Sequence, residues 1–243
     1  MNLLIDMGNT RLKWAVGNYL DIAPGQAIEN VKIDRAAFTQ LWRAIPQPTQ
    51  LAISCVSTSQ LSDLVVSVAN ELWPGIGMVQ AKSEAQGFGV TNAYQEPEKL
   101  GVDRWLGMIA SYNKYQKALC IVGCGTAITV DVIDASGRHL GGLISPGLRL
   151  MKESLAKGTE NLSLSKTVYP FGLATNTDAA IYNGTLSAAC GLIERALKNQ
   201  PDTTQLLLTG GDAEVIAPHL SRLAIIDPDL VLRGLALTLQ RQS

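Results

Sequence analysis

"LLIDMGNTRLKWAVG", residues 3 to 17, decides how the rest of the chain is read. Residues 2 to 6 and 11 to 17 are expected to form two strands joined by Gly8, Asn9 and Thr10, a hairpin in which Gly8 and Asn9 both tolerate the positive φ of a tight turn. The glycine leaves backbone N–H groups uncovered, which suits a phosphate, although the same residues also serve a turn that only reverses the chain. Asp6 closes the first strand beside that turn. A carboxylate there can hold Mg²⁺, usually through water, because this ion keeps much of its hydration shell. Lys13, two residues past Arg11, can balance triphosphate charge or stand as an ordinary solvated strand residue.

Working outward, "AIPQPTQ" (44 to 50) is a proline-broken loop, "LAISCVS" (51 to 57) is strand-like, "SQLSDLVVSVANELW" (59 to 73) has helical periodicity and "GMVQA" (77 to 81) is a further strand. This alternation implies an α/β class. In "LGVDRWLGMIASYNKYQ" (100 to 116), Leu106, Ile109 and Ala110 share a helical face, and Asp103 lies in the first turn, at the helix's positive end. "ALCIVGCGTAITVDVID" (118 to 134) repeats the opening pattern: strand, glycine-bracketed turn, strand, with Thr129 and Asp131 on one face. That echo places a domain boundary near residue 115, giving domains 1–115 and 116–243. Beyond it are expected a helix from about 147 to 156, a polar loop through Pro170, and a long helix from about 177 to 199 with Ile181, Ala188, Leu192 and Leu197 on one stripe. "TQLLLTGGDAEVI" (204 to 216) reads as a buried strand, a double-glycine turn and a helix start, and "LVLRGLALTLQ" (230 to 240) as a buried helix.

Bulk properties exclude several classes. The 243 residues carry 20 Lys and Arg against 21 Asp and Glu, so there is no basic field for a nucleic-acid backbone or an anionic membrane. No segment approaches the roughly 20 apolar residues of a membrane helix. Asp6 interrupts the N-terminal apolar run and no basic residues precede it, so no signal peptide is expected and the location expected is cytoplasmic. The four cysteines lack metal-ligand spacing and lie in apolar contexts, the pattern of packed free thiols. The two histidines, His139 and His219, sit in no motif, which argues against a Ser-His-Asp hydrolase.

Three polar turns at strand ends, at residues 8–10, 123–126 and 209–211, suit a phosphate better together than any one does alone. "DMGNTRLK" (6 to 13), "LGVDRW" (100 to 105), "GCGTAITVD" (123 to 131), "GGLISPGLRLM" (141 to 151), Asn176-Thr177 and "LLLTGG" (206 to 211) occur in an order that resembles the type III pantothenate kinases, within the actin, hexokinase and Hsp70-like ATPase superfamily. The resemblance implies two similar ribonuclease H-like (actin-like ATPase) domains with ATP in an interdomain cleft, and ATP-dependent phosphorylation of pantothenate, the first step of coenzyme A biosynthesis. It places ATP on Asp6, Met7, Gly8, Asn9, Thr10, Arg11, Leu12, Lys13 and Thr126, with Asp6 in the Mg²⁺ role, and "TGG" (209 to 211) on the adenosine side. It places pantothenate on Tyr94, Gly101, Val102, Asp103, Arg104 and Thr177, with Asp103 as proton acceptor. It also implies a homodimer with the acceptor pocket completed near the subunit interface.

The residues suit that chemistry. Transfer to an alcohol needs an aligned hydroxyl, an acceptor for its proton and positive groups around the moving phosphoryl oxygens. Asp103 can take the late-leaving proton at ordinary basicity, and Arg104 offers a planar fork for the acid's carboxylate. Tyr94 and Thr177 add aromatic surface and a hydroxyl. A kinase of the same scaffold for another small alcohol, and a nucleotide-binding regulatory protein, remain open as alternatives. One departure stands out. Most members read Asp-x-Gly-Thr at the second phosphate motif, where the Asp holds an activating K⁺ or NH₄⁺, whereas this chain has Gly123 there. Weak or absent dependence on a monovalent cation is therefore expected, with Asp131 as a candidate replacement ligand.

Overall fold

The computed structural model describes residues 1–18, 21–157 and 167–242. The chain divides into two compact units, one formed by Met1–Gln116 with Asp229–Ser243 and the other by Lys117–Pro228. In the first unit, β1 (Asn2–Met7) and β2 (Arg11–Asn18) form the expected hairpin, with Asp6 opposite Lys13. Short β3 (Asp21–Ile22) and β4 (Gln26–Glu29) pair with β2, α1 spans Arg35–Arg43, and β5 (Gln50–Cys55) joins β1 in parallel. Helix α2 (Ser59–Leu72), β6 (Gly77–Gln80), a small hairpin of β7 (Gln86–Gly87) and β8 (Val90–Thr91), and α3 (Val102–Tyr115) follow. The sheet runs β3-β2-β1-β5-β6.

The core of this sheet is apolar and aromatic. Leu3, Ile5, Met7, Leu12 and Trp14 meet Phe38 and Trp42 of α1 and Val65 and Val68 of α2. Ring centroids lie 4.4 Å apart for Phe38 and Trp42 and 5.9 Å for Trp42 and Trp73, separations at which offset aromatic pairs attract beyond their area burial.

The second unit repeats the scheme. Strands β9 (Leu119–Cys124), β10 (Ala127–Ile133) and β11 (His139–Pro146) form an antiparallel meander. After α4 (Leu148–Lys157) and α5 (Thr177–Leu197), β12 (Gln205–Thr209) pairs in parallel with β9, and α6 (Ala213–Ile216) leads to β13 (Ala224–Ile226), which pairs in parallel with β12. The order β11-β10-β9-β12-β13 matches that of the first sheet strand for strand, an antiparallel meander followed by two parallel additions. The echo in the sequence is thus an echo in topology. Part of the polar loop expected before Pro170 lies outside the described residues.

Two local expectations differ from the structure. Neither Gly8 nor Asn9 has positive φ. Gly8 is favoured by space instead, since a Cβ there would lie a tight 3.1 Å from the Arg11 carbonyl oxygen, which accepts from the Gly8 N–H at 3.0 Å. On α5 the core stripe is Leu186, Ala189, Cys190, Ile193 and Leu197; of the expected stripe only Leu197 is buried, and Ile181 and Ala188 line an open groove of about 780 Å³.

The last helix, α7 (Leu230–Thr238), packs in the first unit against α3, with Gly234 so close to Leu106 that a Cβ would lie 2.4 Å from its carbonyl oxygen. Gly234→Ala is expected to destabilise the fold by about 1–3 kcal/mol, because backbone rather than a mobile side chain occupies the space. Thermal unfolding of the variant checks it; an unchanged midpoint would show that the helices separate freely.

Candidate active site

Asp6 sits one residue before the end of β1, and its ladder partners are Lys13 on β2 and Ser54 on β5, so the three side chains form a row on one face of the sheet. Asp6 Oδ1 and Ser54 Oγ are both buried without a hydrogen-bond partner. Burial pushes the Asp6 carboxyl up to about 6; Ser54 draws it down despite falling short of a full hydrogen bond, the charge of Asp103 adds to the rise, and Lys13 opposes it. An unsatisfied carboxylate oxygen at the mouth of a glycine turn fits a cation, directly or through its water. The turn itself is braced by Asn30, whose Nδ2 donates to the carbonyl oxygens of Gly8 (2.9 Å) and Asn9 (3.1 Å) and whose N–H donates to that of Thr10 (2.9 Å). Nothing local in the sequence marks Asn30 for this task. Asn9 and Arg11 are exposed, whereas Met7 and Leu12 are sealed in the core, so only their main chain can face a ligand.

Asp103 lies in the first turn of α3, where its Oδ1 accepts the Arg104 N–H at 2.9 Å, and a Cβ at Gly101 would crowd the same oxygen at 2.7 Å. Gly101 therefore keeps room for the carboxylate at the helix start. The charge of Asp103 is one of the influences that raise the Asp6 carboxyl, and both acids belong to the first unit. Arg104 is only 8% exposed; its Nη1 donates to the Tyr94 hydroxyl at 2.8 Å, and its guanidinium carbon lies 5.6 Å from the centre of the Tyr94 ring. Tyr94 is held in turn by Asn92, whose Oδ1 accepts the Tyr94 N–H (3.0 Å) while Nδ2 donates to the carbonyl oxygens of Glu84 (3.2 Å) and Pro97 (3.3 Å). Asn92 is a second residue that motif reading passes over. Val102, partly buried, begins α3.

The second unit carries Thr126 and Thr177. Thr126 stands in the turn between β9 and β10, and its carbonyl oxygen accepts the Gly147 N–H at 2.9 Å. A Cβ at Gly147 would fall 2.1 Å from the Gly125 carbonyl oxygen, and one at Gly210 2.3 Å from that of Cys124. Gly210, with φ of +100°, takes a conformation that side chains disfavour, and the next turn is tied on by the Asp212 N–H donating to the Cys124 carbonyl oxygen at 3.0 Å. The turns at 123–126, 146–147 and 209–211 thus abut one another, which only glycines permit. Burial, reinforced by Asp212 and Cys190, pushes the Cys124 thiol up to about 12, so it is a packed group and not a nucleophile. Thr177 opens α5 beside its capping Asn176 and is exposed on the groove lined also by Met151, Leu155 and Ile181.

Comparison with known proteins shows the family. A family model described as type III pantothenate kinase matches residues 2–199. The chain belongs to that family. Type III pantothenate kinases from Nitrosococcus oceani and Laribacter hongkongensis are 36% and 38% identical to it, over 97% of this chain in both cases and 92% and 97% of theirs. At the level of fold, the activator of the 2-hydroxyisocaproyl-CoA dehydratase from Clostridium difficile, solved with ADPNP bound, superposes with a TM-score of 0.54 at 11% identity over 100% of this chain and 97% of that one. The chain is thus a family member whose α/β units have the actin-like ATPase fold. Among the described residues no helix is long and apolar enough to cross a membrane.

Proposed function

We propose that this protein transfers the γ-phosphoryl group of ATP to the primary hydroxyl of pantothenate, giving ADP and 4′-phosphopantothenate, the entry step to coenzyme A. Family membership supports the reaction. The observation that carries the assignment of residues is the pairing, within one unit, of a buried carboxylate with an unsatisfied oxygen beside a phosphate-type turn and a helix-start carboxylate within its electrostatic reach.

In this reading the main chain of residues 7 to 12, the Asn9 and Thr10 side chains, Arg11 and Lys13 face the ATP phosphates, and Thr126 donates its hydroxyl to a phosphoryl oxygen. Asp6, with its unpartnered Oδ1, would hold Mg²⁺, which when bound would neutralise developing charge on the phosphoryl oxygens. Gly101 and Val102 shape the acceptor pocket, Tyr94 and Thr177 contact pantothenate, and Arg104 binds its carboxylate. Asp103 orients the hydroxyl and accepts its proton as the new P–O bond forms and the bond to the ADP oxygen breaks. The reading also includes a homodimer, which light scattering tests through a mass twice that of one chain, and a cytoplasmic location.

Arg104→Lys is expected to raise the KM for pantothenate by about tenfold with a smaller effect on kcat, since an ammonium cannot both donate to the Tyr94 hydroxyl and offer a planar fork to a carboxylate. Steady-state kinetics against both substrates check it; an unchanged KM would remove Arg104 from the carboxylate site. For the activity itself, ADP release is followed with and without pantothenate. Release that depends on pantothenate is expected. ATP binding with no pantothenate-dependent release would favour a regulatory protein, and release with a different alcohol a related kinase.

A further inference from the structure

The geometry around Gly123 points to a kinase with no monovalent-cation site at its second glycine turn, because Thr129 fills the space into which a side chain at position 123 would project and Asp131 is engaged elsewhere. The inference rests on the kinase reading above and concerns how its charge is balanced.

Gly123 lies on β9 directly opposite Thr129 on β10. A Cβ built on Gly123 would stand 2.6 Å from Thr129 Oγ1, well inside contact distance, so any longer side chain would require Thr129 to turn away. Directly opposite residues of an antiparallel pair share a face, so the threonine hydroxyl crowds the point from which a side chain at 123 would leave the strand. The replacement suggested by the sequence fails as well. Asp131 is on the same face two residues on, but it is 2% exposed and its Oδ1 faces His139 Nε2 at 3.0 Å, itself buried on β11.

Charge supplies the second half of the case. A cation stripped of part of its water needs an anionic ligand close by, or the loss of hydration outweighs what neutral oxygens return. A carboxylate with its bound cation is neutral as a pair, and so is a glycine with no cation. The chain has therefore lost both members of a cancelling pair, and the field at the turn is preserved without either. A cation at the same turn facing only Thr129 and main-chain oxygens would lack its counter-charge.

The test is made on the intact wild-type chain with chloride salts of K⁺, NH₄⁺, Na⁺ and choline at matched ionic strength. Rates that agree within about twofold are expected. Stimulation by K⁺ or NH₄⁺ of more than about tenfold would overturn the inference. Calorimetric binding of ATP with Mg²⁺ in K⁺ and in choline, without pantothenate, separates this from the kinase reading. Equal affinity in the two salts supports the inference even if no pantothenate is turned over, whereas affinity more than about tenfold tighter in K⁺ overturns it whatever the turnover. The converse variant, Gly123→Asp with Thr129→Ala, is expected to gain stimulation by K⁺ once circular dichroism shows it folded. A folded double variant indifferent to K⁺ would overturn the place given to Thr129.

Discussion

Asp103→Asn is expected to lower kcat by about 10² to 10⁴ while leaving ATP affinity nearly unchanged. The amide keeps the size and most of the geometry of the carboxylate but cannot take a proton from the pantothenate hydroxyl. The Arg104 N–H that Asp103 accepts can still be met by the amide oxygen, so the helix start should hold. Single-turnover measurements and calorimetric titration with ATP distinguish loss of chemistry from loss of fold. A rate within about twofold of wild type would remove Asp103 from the proton path. A second readout follows from the mutual influence of the two acids. Removing the Asp103 charge should lower the pKa of Asp6, because that charge contributes to its elevation.

Asp6→Asn is expected to abolish turnover, by about 10² or more, and at the same time to stabilise the protein near neutral pH. The Asp6 carboxyl is raised from 3.8 to about 6, chiefly by burial, so the folded chain binds this proton more tightly than the unfolded chain does. Its contribution to stability is therefore fully present below the unfolded pKa and is lost as pH rises through about 6. Two units correspond to a cost on the order of 2–3 kcal/mol above that range, which a neutral amide avoids. Thermal unfolding without Mg²⁺ should give the variant a midpoint several degrees above wild type at about pH 8, with the gain gone by about pH 4. A variant less stable than wild type at the higher pH would contradict the burial account. In the wild type, activity at limiting Mg²⁺ should fall as pH drops through the Asp6 transition. Saturating Mg²⁺ should move that fall to lower pH, because metal and proton compete for one carboxylate.

What could be read from the chain alone follows from how local each signal is. The two hairpins, the Asp103 helix start and the glycine turns are written in consecutive residues whose alternation and turn chemistry act over a few positions. Ser54 lies 48 positions from Asp6 and meets it only through the parallel pairing of β1 with β5, for which no short-range signal exists. Asn30 and Asn92 escape for a related reason: each braces a loop through its amide, and an asparagine in a polar stretch looks like any other turn residue. On α5 the expected stripe holds in its second half, with Leu197 in the core and Leu192 packed against it, and drifts in its first, where Ile181 and Ala188 face the groove, because a helix rich in small apolar residues offers no hydrophilic face to fix the rotation. Gly8 shows the converse, a correct residue with a different cause, since close approach to Arg11 and not backbone handedness disfavours a side chain.

The return of α7 to the first unit bears on how the chain acquires its structure during synthesis. Residues 117–228 are contiguous and have their own sheet and core, whereas the first unit must wait for Gly234 to reach Leu106 before α3 is covered. The ribosome releases the second unit ready to fold while the first is still missing one wall, so the face of α3 around Leu106 stays open longest, and a nascent chain stalled before residue 229 would be the form most open to chaperones and proteases.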